Sequence, residues 1–184
     1  MSEPYEPYPV ISSETPYRGK ILNVRVDTIS LPDGRSARRE IVERGSASAV
    51  VAIDRGGLLT LVRQYRPALG RFALEIPAGM IDPEEDPMAC AARELEEETG
   101  QKAGKLRFLC AMHMSVGFCT EQLYLYLAED LTESERHPDE DEFIEIVRCP
   151  LDEALGMIAG GVITDSKTVA GVLAVKSGFA GLAQ

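Results

Sequence analysis

The sequence predicts an α/β fold, a mixed sheet with helices packed on its faces and a small β element ahead of it. Three observations carry this. Short segments of alternating or continuous apolar residues are separated by glycine and proline turns. A single acidic helix with both ends marked interrupts them, and two segments of helical period close the 184-residue chain. A chain of this length buries one good core with a small accessory part, and not two full domains.

The first hairpin lies in "ILNVRVDTISLPDGRSARREIVERG", where residues 21–31 and 38–43 alternate on either side of Pro32-Asp33-Gly34. The proline-rich first 17 residues before it read as disordered or loosely docked. Residues 1–45 are too few for a stable domain, so this β element is expected to pack on the main body, residues 46–184, or on a second copy of it. "SAVVAID" and "LLTLVRQYR" flank Gly56-Gly57 and read as a second hairpin, more apolar and therefore more buried. "FALEIPAGMIDPEEDP" is a short strand running into a loop, and "KLRFLCAMHM", "EQLYLYLAEDL" and "FIEIVRCP" are three further strands. "LDEALGMIAGG" and "DSKTVAGVLAVKSGF" are the closing helices.

A formal net charge of −11 and a pI of about 4.7 argue against nucleic acid or an anionic membrane as the main partner. Cys90, Cys110, Cys119 and Cys149 sit in apolar segments without C-x-x-C spacing, which fits reduced thiols and not a zinc site. The N-terminus lacks the basic start and apolar run of a signal peptide, and no stretch of about 18 apolar residues occurs. A soluble, cytoplasmic protein is the expectation.

The acidic helix runs near 87–99. Asp86 before Pro87 reads as its N-cap and Gly100 as its C-terminal cap, with Met88, Ala91, Ala92 and Leu95 as the apolar side. Its last turns, "RELEEETG", hold four glutamates, of which Glu94, Glu97 and Glu98 share one face. Like charges at this spacing cost about 0.2–0.5 kcal/mol a pair, at the helix end where the macrodipole already disfavours anions. No lysine or arginine within the helix follows Arg93, so the balancing charge is expected from outside, most simply as a hard divalent cation. Glu96 turns away and belongs to solvent.

Extended on both sides, the stretch reads G-x5-E-x7-R-E-U-x-E-E-x-G-U, U being a bulky aliphatic residue, through Gly79, Glu85, Arg93, Glu94, Leu95, Glu97, Glu98 and Gly100. It resembles the Nudix hydrolase signature, departing from it only at Gln101. At average residue usage a chance match is below about one in ten thousand. "LVRQYRPALGRFALEIPAGMID", "HPDEDEFIEIV" and "GVITDSKTVAGVL" resemble the ADP-ribose pyrophosphatase branch of the family.

That resemblance implies a Nudix-type α/β/α sandwich, an N-terminal β element shared or exchanged within a homodimer, and hydrolysis of a nucleoside diphosphate linked to a further group. It implies magnesium, with manganese or another divalent ion as the alternative, held by Glu94, Glu98 and the carbonyl of Ala78. Glu97 binds the ion directly or through a ligand. Glu85 and Arg93 pair to hold the loop against the helix. In "PDEDEF", position matching makes Glu140 the general base and Glu142 a further metal ligand. Arg66 and Arg63 are candidates to meet the diphosphate, since guanidinium groups suit bidentate phosphate contacts. Arg38, Arg39 and Glu40 correspond to the region that grips the adenosine part at the neighbouring subunit's site. One departure concerns specificity: Val116 stands where the ADP-ribose branch usually has proline. The same chemistry on GDP-mannose or UDP-glucose is therefore the close alternative, and a nucleotide-sensing module without hydrolysis the more distant one.

Overall fold

The computed structural model describes residues 6–137 and 143–179. They form two compact units, one of residues 6–45 with His113–Glu121, the other of Ser46–Met112 with the chain from Gln122 onward.

The N-terminal unit is a three-stranded antiparallel sheet of β1 (Val10–Arg18), β2 (Asn23–Ser30) and β3 (Ser36–Glu43). β2 and β3 are the arms of the first hairpin, turning at Gly34 with φ of 82°, a left-handed conformation that glycine adopts without steric cost. β1 departs from the sequence expectation, because the segment read as loosely docked pairs along β2 from Val10 to Arg18. Most of its side chains are exposed, so no apolar alternation marks it, and backbone pairing holds it. Its register shifts between Glu14 and Tyr17, where Pro16 has no N–H to give the ladder. The segment 113–121 completes the unit: Val42 N donates to Phe118 O at 2.7 Å, and Thr120 N to Val42 O at 3.0 Å.

The larger unit is a seven-stranded mixed sheet. Its strands are β4 (Ala47–Ile53), β5 (Leu58–Arg66), β6 (Arg71–Glu75), β7 (Ala78–Met80), β8 (Gln101–His113), β9 (Gln122–Glu133) and β10 (Glu145–Pro150). The order is β10-β5-β4-β9-β8, with β6 on β5 and β7 on β4. β4 runs parallel to β9 from Ala47 to Ala52 and meets β5 only near the turn, at Ala52 and Ile53. The second hairpin thus opens out, leaving room for β7 beside residues 47–49 of β4.

Strand alternation assigns the faces. Val50 and Ala52 of β4 and Tyr126 and Ala128 of β9 pack under Ala91 and Leu95 of α1 (Pro87–Thr99). On the opposite face lie Val51 and Leu125, against α3 (Ser166–Lys176). A Cβ added at its Gly171 would stand 2.6 Å from Val51 Cγ2 and 3.5 Å from Leu125 Cδ1. α2 (Leu151–Ala159) packs beside α3 and β10. One long helix on each face is the α/β/α sandwich, and coverage of both faces explains why β4 and β9 read as nearly continuous apolar runs. All four cysteines are free. No helix among the described residues is long and apolar enough to cross a membrane.

Candidate active site

α1 begins where Asp86 accepts from the backbone N–H groups of Met88 and Ala89, and ends at Gly100 in the left-handed conformation. Its buried stripe is Cys90, Ala91, Leu95, Glu98 and Thr99, whereas Met88 and Ala92 are exposed. The core-facing side is therefore rotated from the apolar side read in sequence, and it carries a carboxylate, Glu98, only 3% exposed, into the sheet.

Glu98 and Glu94 come together at β7. Ala78 N donates to Glu98 Oε2 at 3.2 Å. The Glu94 carboxylate lies so close to the Gly79 backbone that a Cβ there would stand 2.0 Å from Glu94 Oε1. Glycine in this position leaves the carboxylate its place, since a side chain here would push Glu94 aside. β7 itself is placed by pairing with β4, Ser48 opposite Gly79 and Ala49 opposite Ala78.

Arg93 ties the parts together. Its Nε and Nη2 donate to Glu85 at 2.9 and 3.0 Å, its Nη2 to Met80 O at 3.2 Å, and its Nη1 to Glu94 at 2.7 Å and Glu97 at 2.8 Å. The bidentate bond from Arg93 holds the Glu85 carboxyl down to about 2, against the opposing effect of burial. Loop, strand and helix are thereby fixed to one guanidinium.

The glutamate run is relieved from within the chain more than its sequence suggests. Besides Arg93, Lys102 Nζ lies 3.0 Å from Glu96, and Ser134 Oγ donates to Glu96 at 2.7 Å. Glu96 is consequently half-buried and bonded, and not simply solvated as its helical position suggested. The open carbonyls of the helix end are met by the chain after β9, with His137 N on Glu97 O at 3.1 Å and Arg136 Nε on Glu98 O at 2.8 Å. Arg136 also donates to Ile144 O at 3.2 Å. It sets a cation at the negative end of the helix dipole, a role no local pattern in "ESERHPDEDE" announces.

Glu140 and Glu142 lie outside the described residues. Among the described residues, no three His, Cys, Asp or Glu groups converge as ligands of one metal ion. Arg93 draws Glu94 and Glu97 to itself, while Glu98 turns to Ala78 N. The donor set nevertheless fits a hard divalent cation in kind. It offers only oxygen atoms, two of its carboxylates meet at the Ala78–Gly79 backbone, and the glycine leaves the space a side chain would fill.

Arg66 and Arg63 are separated by strand alternation. Arg66 shares a face of the β5–β6 pair with Glu75, whose carboxylate it grips through Nε at 2.6 Å and Nη2 at 2.9 Å. Arg63 points to the other face, where Nη1 meets Glu145 at 3.0 Å and the guanidinium carbon lies 4.9 Å from the centre of the Phe72 ring. Glu75 first, and Glu98 and Asp165 after it, raise the Arg66 guanidinium further above its ordinary value, against the opposing effect of burial. Burial pushes the Glu75 carboxyl up, but Arg66 and Lys167 outweigh it and hold it below the usual range. Glu75 and Lys167 carried no signal of their own in the sequence. Arg38, Arg39 and Glu40 belong to the N-terminal unit, where Arg38 Nη2 meets Glu14 at 2.7 Å and Arg39 Nη1 donates to Arg38 O at 2.9 Å.

Gln101, the one departure from the signature, is buried, and its side-chain oxygen accepts from Thr60 Oγ1 at 2.9 Å. A hydroxyl on β5 thus accompanies the amide where an aliphatic pair would otherwise pack.

A fold of this kind, with the signature residues gathered where α1 meets β7, defines a Nudix hydrolase. The chain belongs to that family: residues 42–171 match the NUDIX domain, and residues 9–42 match the nucleoside diphosphate sugar hydrolase N-terminal domain. Members of the family typically use divalent metal ions. The chain is 40% identical over 160 residues to an ADP-ribose pyrophosphatase of Bacillus subtilis (strain 168), covering 86% of each chain. It is 41% identical over 164 residues to the methanol dehydrogenase activator of Bacillus methanolicus, covering 88% of this chain and 89% of that one. An ADP-ribose pyrophosphatase of Mycobacterium tuberculosis (strain ATCC 25618 / H37Rv) matches at 38% over 180 residues, with 96% of this chain and 87% of that one covered. GDP-mannose pyrophosphatases of Yersinia match at 35% over 147 residues, 71% of each chain. A crystal structure of an ADP compounds hydrolase superposes with a TM-score of 0.86 at 25% identity, covering 96% of both chains.

Proposed function

We propose that this Nudix enzyme hydrolyses the diphosphate bond of ADP-ribose to AMP and ribose 5-phosphate, with magnesium as its cofactor. The observation that carries the reading is the similarity to two ADP-ribose pyrophosphatases at 40% and 38% over most of both chains. The GDP-mannose pyrophosphatases match less of the chain at 35%. They support the second reading, the same chemistry on GDP-mannose or another nucleoside diphosphate sugar, and so does Val116, 87% exposed where the ADP-ribose branch has proline. A complete set of signature glutamates favours hydrolysis over nucleotide sensing alone.

Glu94, Glu98, the Ala78 carbonyl and Glu142 would hold the cation, with Glu97 beside them. When bound, it neutralises charge on the diphosphate oxygens and lowers the pKa of a coordinated water. Glu140 takes the proton of the attacking water as general base. Arg93 and Glu85 keep helix and loop at fixed spacing while the carboxylates exchange partners. Arg66, with two of its N–H groups on Glu75, has the rest of its guanidinium to offer the diphosphate. Arg38, Arg39 and Glu40 grip the adenosine part from a neighbouring subunit, and the exposed Val10, Ile11, Tyr17 and Ile21 support a homodimer that covers them.

The reading is tested by comparing kcat/KM for ADP-ribose, GDP-mannose and UDP-glucose with magnesium. ADP-ribose is expected to lead by about tenfold or more, or roughly 1.4 kcal/mol. A lead for GDP-mannose or UDP-glucose would transfer the assignment to the second reading.

A further inference from the structure

α3 reaches the end of β6 through three side chains. Asp165 caps the helix, accepting from Thr168 N at 3.0 Å and Thr168 Oγ1 at 2.6 Å. Thr168 Oγ1 in turn accepts from Ile76 N at 2.8 Å. Between them Lys167, its side chain only 12% exposed, donates Nζ to Glu75 Oε2 and lies 3.1 Å from Asp165 Oδ2. Glu75 is itself 4% exposed, and its other partner is Arg66. Two cations and two carboxylates thus alternate from the helix to the surface, in the order Asp165, Lys167, Glu75, Arg66.

A buried carboxylate bonded only to Arg66 would cancel that guanidinium's charge and could swing with it. Glu75 is instead clamped from behind by an ammonium on a helix that is packed into the core. Its two oxygens are fixed, and the bidentate fork fixes the plane of the guanidinium. Lys167, shared with Asp165 at 3.1 Å, also offsets part of the Glu75 charge, so Arg66 is neutralised less than by Glu75 alone. Burying a lysine costs free energy unless it is paired, and hydrophobic residues of similar size would fill the same space. Its presence calls for a role beyond packing.

We propose that Lys167 is a positioning residue that acts through Glu75 to aim Arg66 toward the diphosphate of the substrate. The inference rests on the reading of Arg66 as a diphosphate contact.

Lys167→Met, Arg66→Ala and the double variant, assayed with ADP-ribose and magnesium, test it. Lys167→Met is expected to raise KM about tenfold or more while kcat falls less. The double variant is expected to be no worse than Arg66→Ala alone, because the lysine has then lost the group it positions. Losses that multiply would overturn the inference, showing that Lys167 acts independently of Arg66. An unchanged KM in Lys167→Met, with KM raised in Arg66→Ala, would overturn it and leave Arg66 in its role. An unchanged KM in Arg66→Ala would instead remove the reading of Arg66, and the inference with it. If Lys167→Met does not fold, Glu75→Gln combined with Arg66→Ala poses the same question from the other side of the clamp, with the same non-additivity expected.

Discussion

Gly79 and Glu94 show how closely single residues set this site. The alanine Cβ in Gly79→Ala would fall 2.0 Å from a Glu94 carboxylate oxygen. That oxygen is the end of a flexible side chain, so the carboxylate moves and the fold survives. A misplacement near 1 Å can cost about a hundredfold in rate, and a loss of that size is expected with little change in circular dichroism or Tm. Full activity in this variant would show that the Glu94 position is dispensable. Glu85 makes a second residue-scale prediction, from its carboxyl held at about 2 against an ordinary 4.5. A depressed folded-state value adds stability that is fully present above about 4.5 and is lost as pH falls toward 2. Glu85→Gln should therefore be less stable than wild type at pH 7, and chemical denaturation should find the gap closing between pH 4.5 and 2. A gap independent of pH would mean that the Arg93 pair is not its source. At this scale the pairing of Glu85 with Arg93 was legible through the resemblance of their motif to the Nudix signature. The sequence was silent where the partner is distant in the chain, as Ser134 is from Glu96 and Lys167 from Glu75.

At the scale of elements, the bounds of α1 were readable because Asp86, Pro87 and Gly100 have local physical reasons to stand where they do. Its rotation was not, since alanines at 91 and 92 weigh equally in a pattern and only the sheet decides which is buried. β1 went unread for a related reason: a strand whose side chains are mostly exposed leaves no apolar alternation to find. Gln101 is the opposite case, a mismatch whose explanation sits 41 positions away on Thr60. Either Gln101→Leu or Thr60→Val alone strands a buried polar group and is expected to cost about 1–3 kcal/mol. The double variant should cost less than the sum by about 0.5–3 kcal/mol of coupling, measured by urea denaturation. Additive losses would show that the pair does not hold the junction between α1 and β8.

For the whole molecule, the sandwich brings carboxylates from one helix beside a short strand that the opened hairpin of β4 and β5 admits. Arg93 and Lys102 already relieve part of the acidic charge, and Arg136 meets a backbone carbonyl at the helix end. A cation bound by the folded state alone should still add stability by linkage. Millimolar magnesium is expected to raise Tm in wild type and to do so less in Glu98→Gln; equal shifts in both would place the ion elsewhere. The class of protein was legible because eight positions resemble the Nudix signature, and the family match bears that resemblance out. The substrate was not, since the loops that choose it carry no comparable constraint. The most direct measurement is the release of AMP from ADP-ribose by wild type and by Glu94→Gln, with magnesium and with a chelator. The account predicts AMP and ribose 5-phosphate from wild type with magnesium alone, and at least about a thousandfold less from Glu94→Gln. No AMP from wild type, or undiminished AMP from the variant, would contradict it.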